Sequence, residues 1–371
     1  MASGGKIEAT VVGAGVFGAW TAWHLHHAGL RVKLVDAYGA GNSRASSGGE
    51  SRVLRMGYGA RAHYTHWSVR SLPLWRELCS LTGEEIFLPC GAMWLHPEGD
   101  PFARQSVEAL EAHGVEYEAL EPRELAARFP QMRCGESHAI YEPHGGALLA
   151  RRAVQVLVRW LVTHGVVYEQ RHVSGEEPID GPVVYACGPW LPRVFPELLG
   201  NRIVPTRQDV MFFGVPAGSD DFGPARMPCW VDVGSQYYGI PDLESRGFKI
   251  AHDVRGPVID PDTESRTVSR EAVEVVREYL AERFPALAPA PLVETRVCQY
   301  ENTSNGDYLL DRHPDRENVW LAGGGSGHGF KHGPMVGKYM AGQMLGTMPV
   351  DARFSLRTKL DCAGGVAASS L

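Results

Sequence analysis

Apolar and polar positions fall into short units along this chain, and the first unit is the most informative. Residues 6–12 are an apolar run rich in β-branched side chains. Gly13-Ala14-Gly15-Val16-Phe17-Gly18 follows, then an Ala/Trp/His/Leu stretch to Ala28. Gly29 stops that stretch, residues 30–35 are apolar again, and Asp36 closes the unit. The pattern predicts strand, glycine turn, helix, strand. Residues 39–50 are too rich in Gly, Ser and Asn for a strand. Residues 63–81 read as a helix, with Trp67, Leu74, Trp75 and Leu78 at helical spacing and Gly83 ending it. Residues 86–95 read as a strand, 102–112 and 122–129 as short helices, and 138–141 and 146–149 as strands. Residues 151–164 form an amphipathic helix, stopped by Gly165 and followed by a strand over 166–170.

Farther on, residues 183–190 (VVYACGPW) run an apolar strand into a glycine turn. Residues 203–250 alternate apolar and polar positions and are broken by Gly and Pro at hairpin spacing, which predicts a largely antiparallel sheet. A helix is expected over 269–284, with Ser269 as N-cap and Glu271 in its first turn. Residues 292–300 and 319–322 read as strands, the latter leading into a second glycine cluster at 323–329. Residues 334–345 read as a helix, and a small-residue tail fills 363–370.

The opening unit has the form of a dinucleotide-binding βαβ fingerprint. Gly13 permits the tight turn, Gly15 lets the backbone approach a pyrophosphate, and Gly18 lets the helix pack close on the sheet. The helix N-terminus offers unpaired N–H groups and a positive dipole end to phosphates. Asp36 can accept from ribose hydroxyls. The strands that would complete this sheet are far away in sequence, around 183 and 319. Such interleaving suits a two-domain flavin-binding oxidoreductase, an inference by fold analogy. The expected fold is α/β: a Rossmann-like FAD-binding domain from residues 1–85, 146–203 and 318–371, and a β-rich substrate domain from 86–145 and 204–317.

Composition narrows the partners. The chain has 371 residues, 44% of them hydrophobic and 21% charged, which suits a globular protein. A net charge of −7 argues against a nucleic-acid surface. No apolar run is long enough for a membrane span, and the small residues 1–5 do not make a signal peptide. The seven cysteines are scattered and never form a CxxC, against both a disulfide framework and a zinc cluster. A reducing cytoplasm is the default setting, with no metal expected. His24, His26 and His27 on the first helix read as incidental.

Several separate motifs resemble the monomeric sarcosine oxidase and N-methyltryptophan oxidase family, a branch of the D-amino-acid-oxidase-like flavoproteins. They are VVGAGVFGAW at 11–20, SSGGESRVLR at 46–55, VVYACGPW at 183–190, YYG at 237–239 with FKIAH at 248–252, VCQYENTSNGDYLLDRHP at 297–314, and AGGGSGHGFKHGP at 322–334. The resemblance spans about residues 6–360. It implies FAD held covalently by a thioether from Cys298 to the flavin 8α-methyl. It implies that Arg55 and Lys331 grip a substrate carboxylate. Lys249 matches a lysine that sits by flavin N5 through a water and favours reaction with O₂. Tyr238 and Tyr300 match substrate-pocket tyrosines. Gly325, Gly327 and Gly329 lie in the cluster whose backbone N–H groups would face the flavin pyrimidine carbonyl, with Lys331 just beyond. Ser46, Ser47 and Arg52 fall on flavin-contacting positions, although Ser47 and Gly48 stand where sarcosine oxidases tend to have histidines. His252 lies three residues after Lys249, whereas relatives carry an active-site histidine four residues after. Strand alternation aims it at the opposite face unless a bulge intervenes.

The resemblance implies oxidation of the C–N bond of a small secondary amine or imino acid bearing a carboxylate, such as sarcosine, another N-methyl amino acid, pipecolate or proline. The products would be an imine and H₂O₂. Two other readings are a biosynthetic flavin oxidase acting on a bulkier or carrier-bound amine, and a non-catalytic flavoprotein. The expected partners are that amine and O₂, with the protein a monomer or small homo-oligomer. Loops near 56–64 and 227–238 would shape the substrate pocket.

Overall fold

A computed structural model describes residues 6–362; the tail at 363–370 and residues 1–5 lie outside that range. The opening unit forms as its glycines require. Strand Ala9–Val12 leads through the turn into helix Val16–His27, and Val32–Asp36 pairs parallel beside the first strand. Six strands make this sheet, in the order Leu309–Arg312, Val319–Gly323, Val183–Tyr185, Ala9–Val12, Val32–Asp36 and Val167–Gln170. Five run parallel, and Leu309–Arg312 is antiparallel on the edge. That edge strand, in a stretch assigned above to the β-rich portion, was not anticipated.

Eight strands form the second sheet: Leu292–Thr303, Ile203–Phe213, Phe248–His252, Tyr237–Ile240, Cys229–Asp232, Ala92–His96, His138–Glu142 and Glu118–Leu120. Pairing is antiparallel except between Cys229–Asp232 and Ala92–His96. Arg52–Leu54, Gly146–Leu148 and Phe87–Leu88 make a small third sheet. The single strand expected over 86–95 is therefore two. Gly91, at φ +82°, breaks the extended run and sends its halves to different sheets. The strand expected over 292–300 continues to Thr303, because Ile203–Phe213 offers a partner along nearly its whole length.

The helices follow the apolar periodicity closely. Ser269 caps Arg270–Arg283 by accepting from Ala272 N (3.2 Å), and Asp100 caps Pro101–Ala112 by accepting from Ala103 N (2.9 Å). Each cap stabilises its helix by about 1 kcal/mol. The first helix is buried on nearly every side, because it lies between the parallel sheet, helix Ala150–Thr163 and helix Gly333–Met344. Trp20 meets Trp75 edge-on at 5.1 Å, and Trp23 packs on Trp160 at 4.3 Å. His24 is not incidental: its Nε2 is 2.9 Å from Pro334 O, tying the first helix to the last. Among the described residues, no helix is long and apolar enough to cross a membrane.

Gly337 fixes the spacing of those two helices. A Cβ there would stand 2.5 Å from Trp20 O and 2.3 Å from its carbonyl carbon, so the backbones touch. Gly337→Ala should force them apart at a cost of about 1–3 kcal/mol. Chemical denaturation should show a lowered midpoint with an unchanged slope.

Candidate active site

A cleft of about 390 Å³ opens at the carboxyl ends of the parallel strands, where such folds bind ligands. Gly13, Gly15 and Asp36 line it, with Arg52, Cys298, Tyr300 and the glycines Gly325, Gly327 and Gly329. Gly13 has φ +105°, and a Cβ there would stand 2.3 Å from Ala186 O. At Gly18 a Cβ would overlap Gly13 O at 1.8 Å, so this glycine lets the helix begin hard against the turn. A Cβ on Gly15 would meet only Ser47 Oγ, at 3.4 Å, so the backbone faces the cleft openly there. Ser47 Oγ accepts from Val16 N (3.1 Å) in the helix's first turn.

Asp36 closes its strand as a fixed acceptor. Oδ2 accepts from Ala14 N (2.7 Å), and Oδ1 from Tyr38 N (2.8 Å) and Gly39 N (2.9 Å). Three of roughly four acceptor positions are used, leaving about one toward the cleft. Burial still raises the pKa of this carboxyl, against the pull of those three donors. Ser46 Oγ is buried in the cleft wall with no hydrogen-bond partner. An orphaned hydroxyl and a glycine cradle that side chains would fill are what a bound dinucleotide needs, so these residues fit FAD.

Cys298 lies on Leu292–Thr303, opposite Gln208, with its thiol half-buried at the cleft. Arg52 donates to Ser46 O (2.6 Å) and Ser51 O (2.7 Å) and places a guanidinium nitrogen 3.5 Å from Cys298 Sγ. Lys249 stands behind that arginine. Its Nζ donates to the same Ser51 O (2.7 Å) and lies 5.8 Å from the centre of the Tyr238 ring. Burial pulls the Lys249 ammonium down to about 7, and the nearby Arg52 charge adds to the effect. A second cavity, about 320 Å³, reaches Lys249 from its far side past Glu50, Arg151 and Arg246.

Arg55 and Lys331 converge on Tyr58. The Arg55 guanidinium donates to Gly57 O and lies 3.7 Å over the Trp94 ring and 4.3 Å over the Tyr58 ring. Lys331 Nζ donates to Tyr58 Oη (2.7 Å) and to His328 O (3.4 Å). Burial lowers the pKa of both cations, and the Arg55 charge lowers Lys331 further. Glu142 fixes this corner by accepting from Met56 N (2.5 Å), Gly57 N (2.9 Å) and Trp94 Nε1 (2.9 Å). Tyr300 donates to Asp253 Oδ1 (2.6 Å), and Gly327 lies so close to the Tyr300 ring that a Cβ would stand 2.7 Å away.

His252 is not brought to this site. Its strand pairs with Tyr237–Ile240 in unbroken register, so no bulge turns it inward. Lys249 and Ala251 take one face, whereas Phe248, Ile250 and His252 take the other. There His252 stacks on Tyr237 at 4.4 Å, which stacks on Tyr279 at 3.8 Å. Position 253, four after the lysine, holds Asp253. Alternation counted from Lys249 points to it. Tyr58 lies in the 56–64 loop expected to shape the pocket but was not singled out there, and Glu142 carried no sequence signal. Glu301 was also overlooked: it lines the cleft, accepts from Gly324 N (3.1 Å), and is pushed up to about 7 by burial.

The family of FAD dependent oxidoreductases denoted DAO matches residues 8–343, and the chain belongs to it. It is therefore an FAD-dependent oxidoreductase. It is 30% identical over 357 residues to a monomeric sarcosine oxidase of Bacillus sp. (strain B-0618), covering 90% of this chain and 91% of that one. It is 25% identical over 352 residues to N-methyl-L-tryptophan oxidase of Yersinia pestis (strain Pestoides F), covering 89% and 93%. Among solved structures, L-proline dehydrogenase from P. horikoshii superposes with a TM-score of 0.82 at 19% identity, over 96% of this chain and 99% of that one. That last likeness is one of fold.

Proposed function

We propose that this protein oxidises the C–N bond of a small secondary amine or imino acid bearing a carboxylate, releasing an imine and H₂O₂. The observation that carries the reading is the buried cation pair. Arg55 and Lys331 share Tyr58, repel each other, and have been taken out of water. An incoming carboxylate relieves that repulsion and accepts charge-assisted hydrogen bonds. Relatives named for sarcosine and N-methyl-L-tryptophan support an N-substituted amino acid as the substrate class.

In this reading the segments of the parallel sheet hold FAD, and the larger antiparallel sheet covers the substrate side. The cofactor, when bound, supplies the two-electron acceptor for the C–N bond. The protein's part is binding, orientation and charge. Arg55 and Lys331 hold the carboxylate, while Tyr238 and Tyr300 wall the amine. Cys298 tethers the cofactor, and the glycines at 325, 327 and 329 give its ring a close backbone approach. Lys249 supplies a positive charge in a dry setting, where charge developing on O₂ is stabilised most strongly.

A panel of sarcosine, other N-methyl amino acids, pipecolate and proline should include amines that release H₂O₂. Arg55→Met and Lys331→Met should each raise KM by roughly ten- to hundredfold, the worth of a charge-assisted hydrogen bond. Silence with every free amine removes this reading. Acid precipitation should leave the flavin on the protein and release it from Cys298→Ala; a yellow supernatant from unmutated protein excludes the tether. Lys249→Met should slow flavin reoxidation by about 10²-fold or more while sparing reduction by substrate. Because Lys249 is held near 7, it loses its proton as pH rises, so reoxidation of the unmutated enzyme should slow as pH passes upward through about 7.

A further inference from the structure

Near Arg55 and Lys331 stands a carboxylate, Asp253, that the reading above leaves without a task. Asp253 follows directly on strand Phe248–His252, and its backbone N donates to Gln236 O (2.7 Å). It is 8% exposed. Its Oδ1 accepts from Tyr300 Oη at 2.6 Å, whereas Oδ2 accepts no hydrogen bond among the described residues. No cation reaches it as an ion pair in that same set. Arg55, Lys331 and Arg255 act on it through space, and its charge acts in turn on Tyr238 and Tyr300. One carboxylate oxygen is thus positioned by a tyrosine of the cleft wall and the other is left without a donor.

We propose that Asp253 binds the substrate's ammonium group through Oδ2 and takes its proton, so that the amine is neutral when its C–N bond is oxidised. The proposal rests on the amine-oxidase reading and assigns a second half to its site. Glu142 also acts on both cations, but its oxygens already accept from three N–H groups, whereas Asp253 keeps one oxygen open. Two buried cations beside that open carboxylate complement a zwitterion: the substrate carboxylate goes to Arg55 and Lys331, and its N–H goes to Asp253. An ammonium nitrogen has no lone pair to support loss of hydride from the neighbouring carbon. In the transfer, one N–H bond of the ammonium breaks and an O–H bond to Oδ2 forms. The electron pair of the broken bond stays on nitrogen. Asp253 returns the proton to water once the product has left.

The surroundings of the carboxyl suit this role. Burial lifts the Asp253 carboxyl to about 6, and the Tyr300 hydrogen bond and the three cations keep it from rising further. The group is ionised at neutral pH yet close enough to neutrality to accept a proton. A simple counter-ion to Arg55 and Lys331 would need neither the free oxygen nor the tyrosine.

The test uses the FAD-loaded enzyme, with anaerobic flavin reduction by sarcosine and pipecolate as one readout. Flavin absorbance titrated with acetate, which has a carboxylate but no amine, is the other. Asp253→Asn should slow reduction by about 10²-fold, abolish the rise in rate through pH 6, and leave acetate binding unchanged or tighter. Tyr300→Phe, which keeps the carboxylate but removes its donor, should shift that rise to higher pH. If Asp253→Asn weakens acetate and amines alike, or leaves the rise near pH 6 intact, Asp253 is a structural counter-ion and the proposal is wrong while the amine-oxidase reading stands. If no amine reduces the unmutated enzyme, the reading itself fails and the proposal falls with it.

Discussion

The structure depends on keeping positive charge out of water without neutralising it. Arg55, Lys249 and Lys331 are 4%, 2% and 5% exposed, and none of them forms an ion pair among the described residues. Burying an ion costs several kcal/mol after relaxation, so each cation must be compensated by something weaker than a salt bridge. Arg55 has Gly57 O and two aromatic faces, Lys249 has Ser51 O, and Lys331 has Tyr58 Oη and His328 O. Apart from His328 O and the Trp94 ring, these partners come from the segment 51–58, between the first βαβ unit and the second helix. That segment is in turn pinned by Glu142, from a strand of the large sheet. The site is the place where pieces of both sheets must agree on the same few carbonyls.

The walls of the cleft are set on rigid elements for the same reason. Cys298, Tyr300 and Glu301 all belong to Leu292–Thr303, which pairs along nearly its full length with Ile203–Phe213. A long strand paired along nearly its whole length can hold a thiol, a phenol and a carboxyl in fixed relation, which loops do less well. Glu301 then reaches across to Gly324 N and fastens the second glycine cluster to this strand. The two faces of the cleft are therefore linked directly rather than through solvent.

What could be read from the sequence was what is local. Gly13, Gly18 and Asp36 are legible because a turn, a helix start and a strand end each impose their demands within a few residues. Lys249 and Cys298 were reached through motifs. His252 marks the limit of that route: the resemblance favoured an inward side chain, strand alternation favoured the outward face, and alternation won because nothing broke the register. Tyr58 was legible only as part of the 56–64 loop, and Glu142 not at all, since their roles exist only after residues far apart in sequence meet. The strand expected at 86–95 became two because Gly91 adopts a left-handed conformation, and glycine by itself does not reveal whether it will bend. Leu309–Arg312 was overlooked because a four-residue edge strand carries too little alternation to stand out.

The discontinuity of the parallel sheet has a consequence for how the molecule is made. Helix Val16–His27 is synthesised long before Gly333–Met344, which covers its tryptophan-lined surface. The central strand Val183–Tyr185 likewise waits for Val319–Gly323 to pair with its outer edge. During translation the nascent chain must carry an exposed indole face and an open strand edge until residues 319–344 have emerged. Such surfaces invite association with other chains. Ribosome-bound chaperones and the pace of elongation are thus part of what this topology asks of the cell.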